Sequence, residues 1–190
     1  MTGRVVVVKL GSSVLPDEDA LPDVVRALYA AVRAGDRVVA VVSALGRHTD
    51  ALVDRARAFG PAPSARATAA LVATGEATAV ALVALALDRA GIPVVPLAGA
   101  GIVTAGDPLD GDPVRVDPTA IRAALDRAPI VVVPGFVARD VDGAPSLLGR
   151  GGSDLTALLV AEALGATCRL VKDVGGVYDA DPRVAGAVRY

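Results

Sequence analysis

An α/β fold, arranged as a three-layer αβα sandwich around a mainly parallel sheet, is what this 190-residue sequence predicts. Two observations carry the prediction. Short β-branched runs alternate with longer helical stretches, the pattern of strand–helix–strand units that feed a parallel sheet. The runs are also apolar throughout rather than alternating, as expected of strands covered on both faces.

The elements follow in order. Residues 4–10 read as a buried strand that runs into Gly11-Ser12-Ser13. Residues 21–34 have helical periodicity that stops at Gly35, a natural C-cap. Residues 37–42 form a second strand, ending at Ser43-Ala44-Leu45-Gly46. A helix is predicted over 49–58, and Gly60-Pro61-Ala62-Pro63 breaks the chain behind it. The alanine-rich stretch 65–90 is mostly helical. Glycine in a helix costs about 1 kcal/mol relative to alanine, which predicts a break at Thr74-Gly75. Residues 93–97 and 130–134 are further strands. They flank a helix over 117–127, with Asp117 as N-cap and Pro118 at its first position. A helix over 155–164 follows Gly151-Gly152-Ser153-Asp154, where Ser153 or Asp154 is expected to cap. Residues 169–172 make a last strand, ending at Asp173. Such sheets bind ligands beyond the carboxyl ends of their strands. The unusual residues cluster there: Gly11 to Ser13, Ser43 to Gly46, Gly135, and Asp173 to Gly176.

Composition narrows the function. Hydrophobic residues make up 53% of the chain, enough for a substantial core, but aromatics are only 3% and the net charge is -2. Base-stacking platforms and a basic nucleic-acid surface are therefore excluded. Cys168 is the only cysteine, so no disulfide can close within the chain and a structural zinc site is not expected. His48 is the only histidine, and no nucleophile elbow accompanies it. Chemistry must rest on Lys, Arg, Asp, Glu and backbone amides. The N-terminus lacks an apolar signal region, and the longest apolar run, near 77–87, is too short for a bilayer. The expectation is a cytoplasmic protein with no membrane partner.

Five segments carry chemistry. Lys9-Leu10-Gly11-Ser12-Ser13 pairs a cation with a small-residue turn whose backbone amides can cradle phosphate, although it equally describes a plain strand-to-loop turn. In SALGRHTD, Ser43 and Thr49 offer hydroxyls to a small polar substrate, or Thr49 or Asp50 caps the next helix. In Thr74-Gly75-Glu76 the carboxylate suits a substrate ammonium, or the dipole of a helix start. In LGRGGSD, residues 148–154, Arg150 can grip a carboxylate or phosphate bidentately. The paired Gly151 and Gly152 allow close backbone approach, and capping alone explains neither feature. In KDVGGVYDADPR, residues 172–183, Tyr178 can pack on an adenine and Arg183 can reach a phosphate; a surface loop is the alternative.

In this order and setting the five segments resemble the amino-acid kinase family, and most closely the aspartokinase catalytic domain. Its VVSAMG, TGE, TLGRGGSDTTA and TDVDGVYTADPR motifs match VVSALGRHTD, ATGE, LLGRGGSDLTA and KDVGGVYDADPR here. The intervening AGAGIVT and VVVPGF also look like their counterparts. Glutamate 5-kinase and acetylglutamate kinase share the fold but resemble the arginine-bearing loop less.

The resemblance implies a carbamate kinase-like fold. It also implies a kinase that moves the γ-phosphoryl of MgATP onto the side-chain carboxylate of aspartate or a close analogue. That carboxylate has a pKa of about 4, so it is already ionised and needs no general base. By the same resemblance Lys9 stabilises the phosphoryl group and Asp154 organises the site. Arg150 holds the substrate α-carboxylate and Glu76 meets its ammonium, with Ser43, Thr49 and Ser153 nearby. Gly11, Ser12, Ser13, Asp173, Tyr178 and Arg183 join Lys9 in the nucleotide site. No metal ligand set is assigned beyond the Mg2+ that travels with ATP.

The sequence departs from the pattern in four places. Ser12 replaces the second glycine of the first motif. Gly175 replaces an aspartate. Lys172 stands where threonine or serine is common. The sequence ends at Tyr190, before the rest of the kinase domain and the regulatory ACT modules of the aspartokinase pattern. The expectation is one domain with a substrate lobe, 1–134, and a partial nucleotide lobe, 135–190, without ACT-based feedback. An open sheet edge would pair with another copy or with a partner that completes the nucleotide lobe. A degenerate fold that binds a ligand or regulates a partner is the alternative function at this stage.

Overall fold

The computed structural model describes residues 3–172. Its order is β1 (Val5–Leu10), α1 (Leu21–Arg33), β2 (Arg37–Val42), α2 (His48–Arg57), α3 (Ala65–Arg89), β3 (Val94–Pro96), β4 (Ile102–Asp107), β5 (Asp110–Val116), α4 (Thr119–Leu125), β6 (Ile130–Pro134), β7 (Val137–Asp140), β8 (Pro145–Leu147), α5 (Gly152–Leu164) and β9 (Thr167–Val171).

Five strands make one wholly parallel sheet in the order β3-β6-β2-β1-β9. Successive side chains of a strand point to opposite faces, and the packing follows that parity. Val6, Val8 and Leu10 of β1 join Val24 and Leu28 of α1 and Val83 and Leu87 of α3 on one face. Val7, Val39 and Val41 join Ile121 of α4 and Ala157 and Val160 of α5 on the other. Two helical layers therefore sandwich the sheet. The unbroken valine runs are what a doubly covered strand requires, since each fully buried valine contributes about 1.5–3 kcal/mol.

Several local expectations are corrected. Helix α3 is continuous through Thr74-Gly75, with Ser64 capping it by accepting the Ala67 N–H. Gly75 belongs there because a Cβ would meet Ala44 Cβ and Leu52 Cδ1 at 3.1 Å; the missing side chain lets α3 lie against α2 and the end of β2. Glu76 is consequently mid-helix, not at a helix start. Neither Ser153 nor Asp154 caps α5. Its N-cap is Gly151 in the left-handed conformation, with φ of 80°, so neither side chain is spent on capping. Likewise α2 begins at His48, so Thr49 and Asp50 lie inside its first turn, and α4 begins at Thr119, with the Asp117 carboxylate accepting the Thr119 N–H.

A second sheet, β5-β4-β7-β8, was not anticipated. It is mixed: β4–β5 and β7–β8 are antiparallel and β4–β7 is parallel. By length and composition α3 could cross a bilayer, contrary to the sequence expectation. It is nonetheless packed on the parallel sheet and against Leu147 of β8.

Candidate active site

The carboxyl ends of β1, β2 and β6 open onto a cleft of about 700 Å³. Each strand delivers one part. β1 brings Lys9 and the turn Gly11-Ser12-Ser13, β2 brings Ser43 and Ala44, and the turn after β6 brings Phe136. Helix α3 contributes Glu76, α2 contributes Thr49 and Asp50, and the LGRGGSD loop closes the opposite wall. Every site residue predicted within residues 3–172 therefore lines one cleft. Asp173, Tyr178 and Arg183 lie outside the described residues.

The charges are arranged around one carboxylate. Lys9 is buried, and its odd position on β1 turns it toward α5, where its Nζ lies 2.8 Å from Asp154 Oδ1. Lys172 Nζ donates to Asp154 Oδ2 at 2.6 Å. Partial burial opposes the ionised form of Asp154, but the two ammonium groups outweigh it and hold its pKa below the usual carboxylate value. The start of α5 favours the same anion.

Glu76 is the opposite case. It is 2% exposed. The Ala44 N–H donates to its Oε1 at 3.3 Å, while its buried Oε2 has no partner among the described residues. Burial raises its pKa to about 7, against the backbone hydrogen bond, which lowers it. A buried acceptor without a donor is destabilising unless a ligand supplies one.

Between these poles the Ser43 hydroxyl donates to Ser153 Oγ at 2.9 Å, tying β2 to α5. Arg150 stands exposed at the rim. His48, the only histidine, is not part of the lining.

Two contributors lie in the VVVPGF and LLGRGGSDLTA segments but were not expected as site residues. Phe136 has φ of 64°, a conformation rare for a bulky side chain and often held at functional sites. Its N–H donates to Thr156 Oγ1 at 3.0 Å, and that hydroxyl donates in turn to the Gly152 carbonyl at 2.8 Å. Thr156 thus anchors the strained turn to α5. A Cβ on Gly152 would come within 2.8 Å of Phe136 Cδ2 and 2.9 Å of Leu148 Cβ, so the second glycine of the pair lets the loop pack against this turn. Among the described residues no group of three His, Cys, Asp or Glu side chains could hold a metal by itself. Asp154 remains as a single carboxylate, which suits an Mg2+ that arrives on phosphates and keeps most of its ligands there.

The cleft can therefore hold an anionic group on Lys9 and the Gly11-Ser12-Ser13 turn, and a cation on Glu76. The sequence profile of the Amino acid kinase family matches residues 4–190. The chain is 40% identical over 189 residues to an aspartokinase of Mycolicibacterium smegmatis, covering 97% of this chain and 45% of that one. It thus spans about half the length of the curated relatives it matches. Aspartate kinase from Synechocystis is 34% identical with a TM-score of 0.75, over 94% of this chain and 30% of that one. E. coli aspartokinase III, solved with aspartate and ADP, shares the fold at a TM-score of 0.84 and 24% identity, over 98% of this chain and 53% of that one. The chain belongs to the amino acid kinase family.

Proposed function

We propose that this cleft transfers the γ-phosphoryl group of MgATP to the side-chain carboxylate of aspartate. The observation that carries the reading is one cleft with two ends of opposite demand. A Lys9–Asp154 pair sits at one end, and the buried, half-satisfied carboxylate of Glu76 at the other. An α-amino acid fits that division: its ammonium completes Glu76, and its α-carboxylate reaches Arg150 at the rim. Its side chain then points toward the phosphate end. Relatives named aspartokinase, and a shared fold with a protein solved with aspartate and ADP, support the choice of substrate.

The chemistry asks little of the protein beyond positioning and charge. The substrate carboxylate is ionised, so no proton has to be removed. One of its oxygens bonds to the γ-phosphorus while the bond from that phosphorus to the β–γ bridging oxygen breaks. ADP leaves with the electron pair, and the product is an acyl phosphate. Lys9 neutralises charge on the transferring group, and the amides of the Gly11-Ser12-Ser13 turn hold phosphate oxygens. Asp154 fixes Lys9 and Ser153 fixes the Ser43 wall. Mg2+ would come in on the nucleotide and offset its charge, with Asp154 as the carboxylate within reach.

The segment 135–190 is proposed to carry the nucleotide half, including Asp173, Tyr178 and Arg183. β9 ends the parallel sheet among the described residues and is largely exposed, which supports a homo-oligomer or a partner that completes this half. Light scattering at high protein concentration checks the assembly; a strict monomer counts against a homo-oligomer. The cytoplasm, which supplies both MgATP and aspartate, is the proposed setting.

Trapping with hydroxylamine tests the function. Folded protein with MgATP should yield the hydroxamate of aspartate, and less with glutamate. Nucleotide binding without product from any amino acid would favour a ligand-binding or regulatory role instead.

A further inference from the structure

One charged group, bonded to the Asp154 of the cleft wall, has no assigned role in this phosphoryl transfer. Lys172 shares Asp154 with Lys9, at 2.6 Å and 2.8 Å from its two oxygens. Two ammonium groups on one carboxylate leave a net positive charge at the strand ends. The inner lysine is fixed, with 10% of its side chain exposed, whereas the outer one is 40% exposed on an open stem.

The sheet register says where that outer charge stands. Leu170 pairs with Lys9 and Val171 with Leu10, so Lys172 follows level with Gly11, where the phosphate-cradling turn opens. Composition sharpens the point. Lys9 and Lys172 are the only lysines in the chain; every other cationic side chain is an arginine. Arginine serves elsewhere for ion pairs, such as Arg4 with Asp36 and Arg66 with Asp140. Lysine occurs only on Asp154. Its distinguishing property is a compact charge on a flexible stem, with three donors that can be re-aimed. A charge meant only to hold Asp154 would not need that freedom.

We propose that Lys172 is a second phosphate-binding residue, which rests on Asp154 in the empty cleft and swings onto the terminal phosphates of an entering nucleoside triphosphate. The proposal rests on the phosphoryl-transfer reading. A triphosphate carries several negative charges against the single one of Asp154, so it outcompetes that carboxylate for the mobile ammonium. Asp154 then stays with Lys9, its buried partner. Lys172 stands where the aspartokinase pattern has a hydroxyl residue, so the second cation adds charge that a threonine does not supply.

Because the chain has only these two lysines, labelling it with 13Cε-lysine gives one pair of cross-peaks, and Lys172→Arg assigns them. Adding MgATP in a non-hydrolysable form should move both peaks, while aspartate alone should leave that of Lys172 in place. Kinetically, Lys172→Met should raise KM for MgATP roughly tenfold or more. KM for aspartate should hold, and Lys172→Arg should recover most of the loss. If the nucleotide moves the Lys9 peak alone, or Lys172→Met leaves KM for MgATP unchanged, the inference fails and the kinase reading stands. If neither peak moves, both fail.

Discussion

Lys9→Met should lower kcat by at least about 10²–10³-fold without unfolding the protein. The factor is that of removing one preorganised donor from a developing charge, and phosphoryl transfer leans more heavily than most reactions on such charges. Folding should survive because methionine fills nearly the same volume in the lysine's buried slot. Asp154 also keeps its second partner, Lys172, so no buried anion is abandoned. The effect belongs to the transition state, so KM for aspartate should change little. Steady-state kinetics beside a thermal melt check it. A variant that keeps turnover within a few-fold of wild type would remove Lys9 from the chemistry.

Glu76→Gln should make the protein more stable and bind aspartate worse. The free carboxyl titrates at 4.5 and the buried one at about 7. Between those values the native state holds more protons than the unfolded chain, so stability falls as pH rises through the window. By pH 8 the difference amounts to about 3 kcal/mol, at 1.36 kcal/mol for each pH unit. Glutamine keeps an oxygen for the Ala44 N–H and has no charge to bury. Its gain should therefore be near that size at pH 8 and vanish near pH 4, as read by denaturant unfolding at both. The substrate ammonium, in turn, loses its counter-charge, and KM for aspartate should rise roughly tenfold to hundredfold. In the wild type the same KM should climb as pH drops below about 7 and Glu76 takes its proton; in the variant it should be flat. This is the trade expected of a residue kept for binding rather than for folding.

Much of this was legible in the sequence, for physical reasons that can be named. β1, β2 and β6 announce themselves because a strand buried on both faces is almost wholly apolar, Lys9 being the exception in β1. Arg150 and the Gly151-Gly152 pair stand out because neither is a side-chain helix cap, although Gly151 itself turns out to be the N-cap of α5. The continuity of α3 was hidden, because the propensity of Gly75 is local and its reason, contact with Ala44 and Leu52, is tertiary. The second sheet was hidden because β4 and β5 carry Gly106, Gly111 and Pro113, which read as breakers. The positive φ of Phe136 follows from its anchoring to Thr156, and nothing in a phenylalanine signals it. The sequence likewise lists Lys9, Asp154 and Lys172 but not that one carboxylate joins them.

The central claim, that the cleft joins a substrate carboxylate to phosphorus, is tested most directly by 31P NMR with aspartate carrying 18O in its side-chain carboxylate. The account predicts a new acyl-phosphate resonance with an isotope shift, present with the wild type and absent with Lys9→Met. Phosphate released with no acyl-phosphate resonance, or no aspartate-dependent change in the spectrum of folded protein, would contradict it.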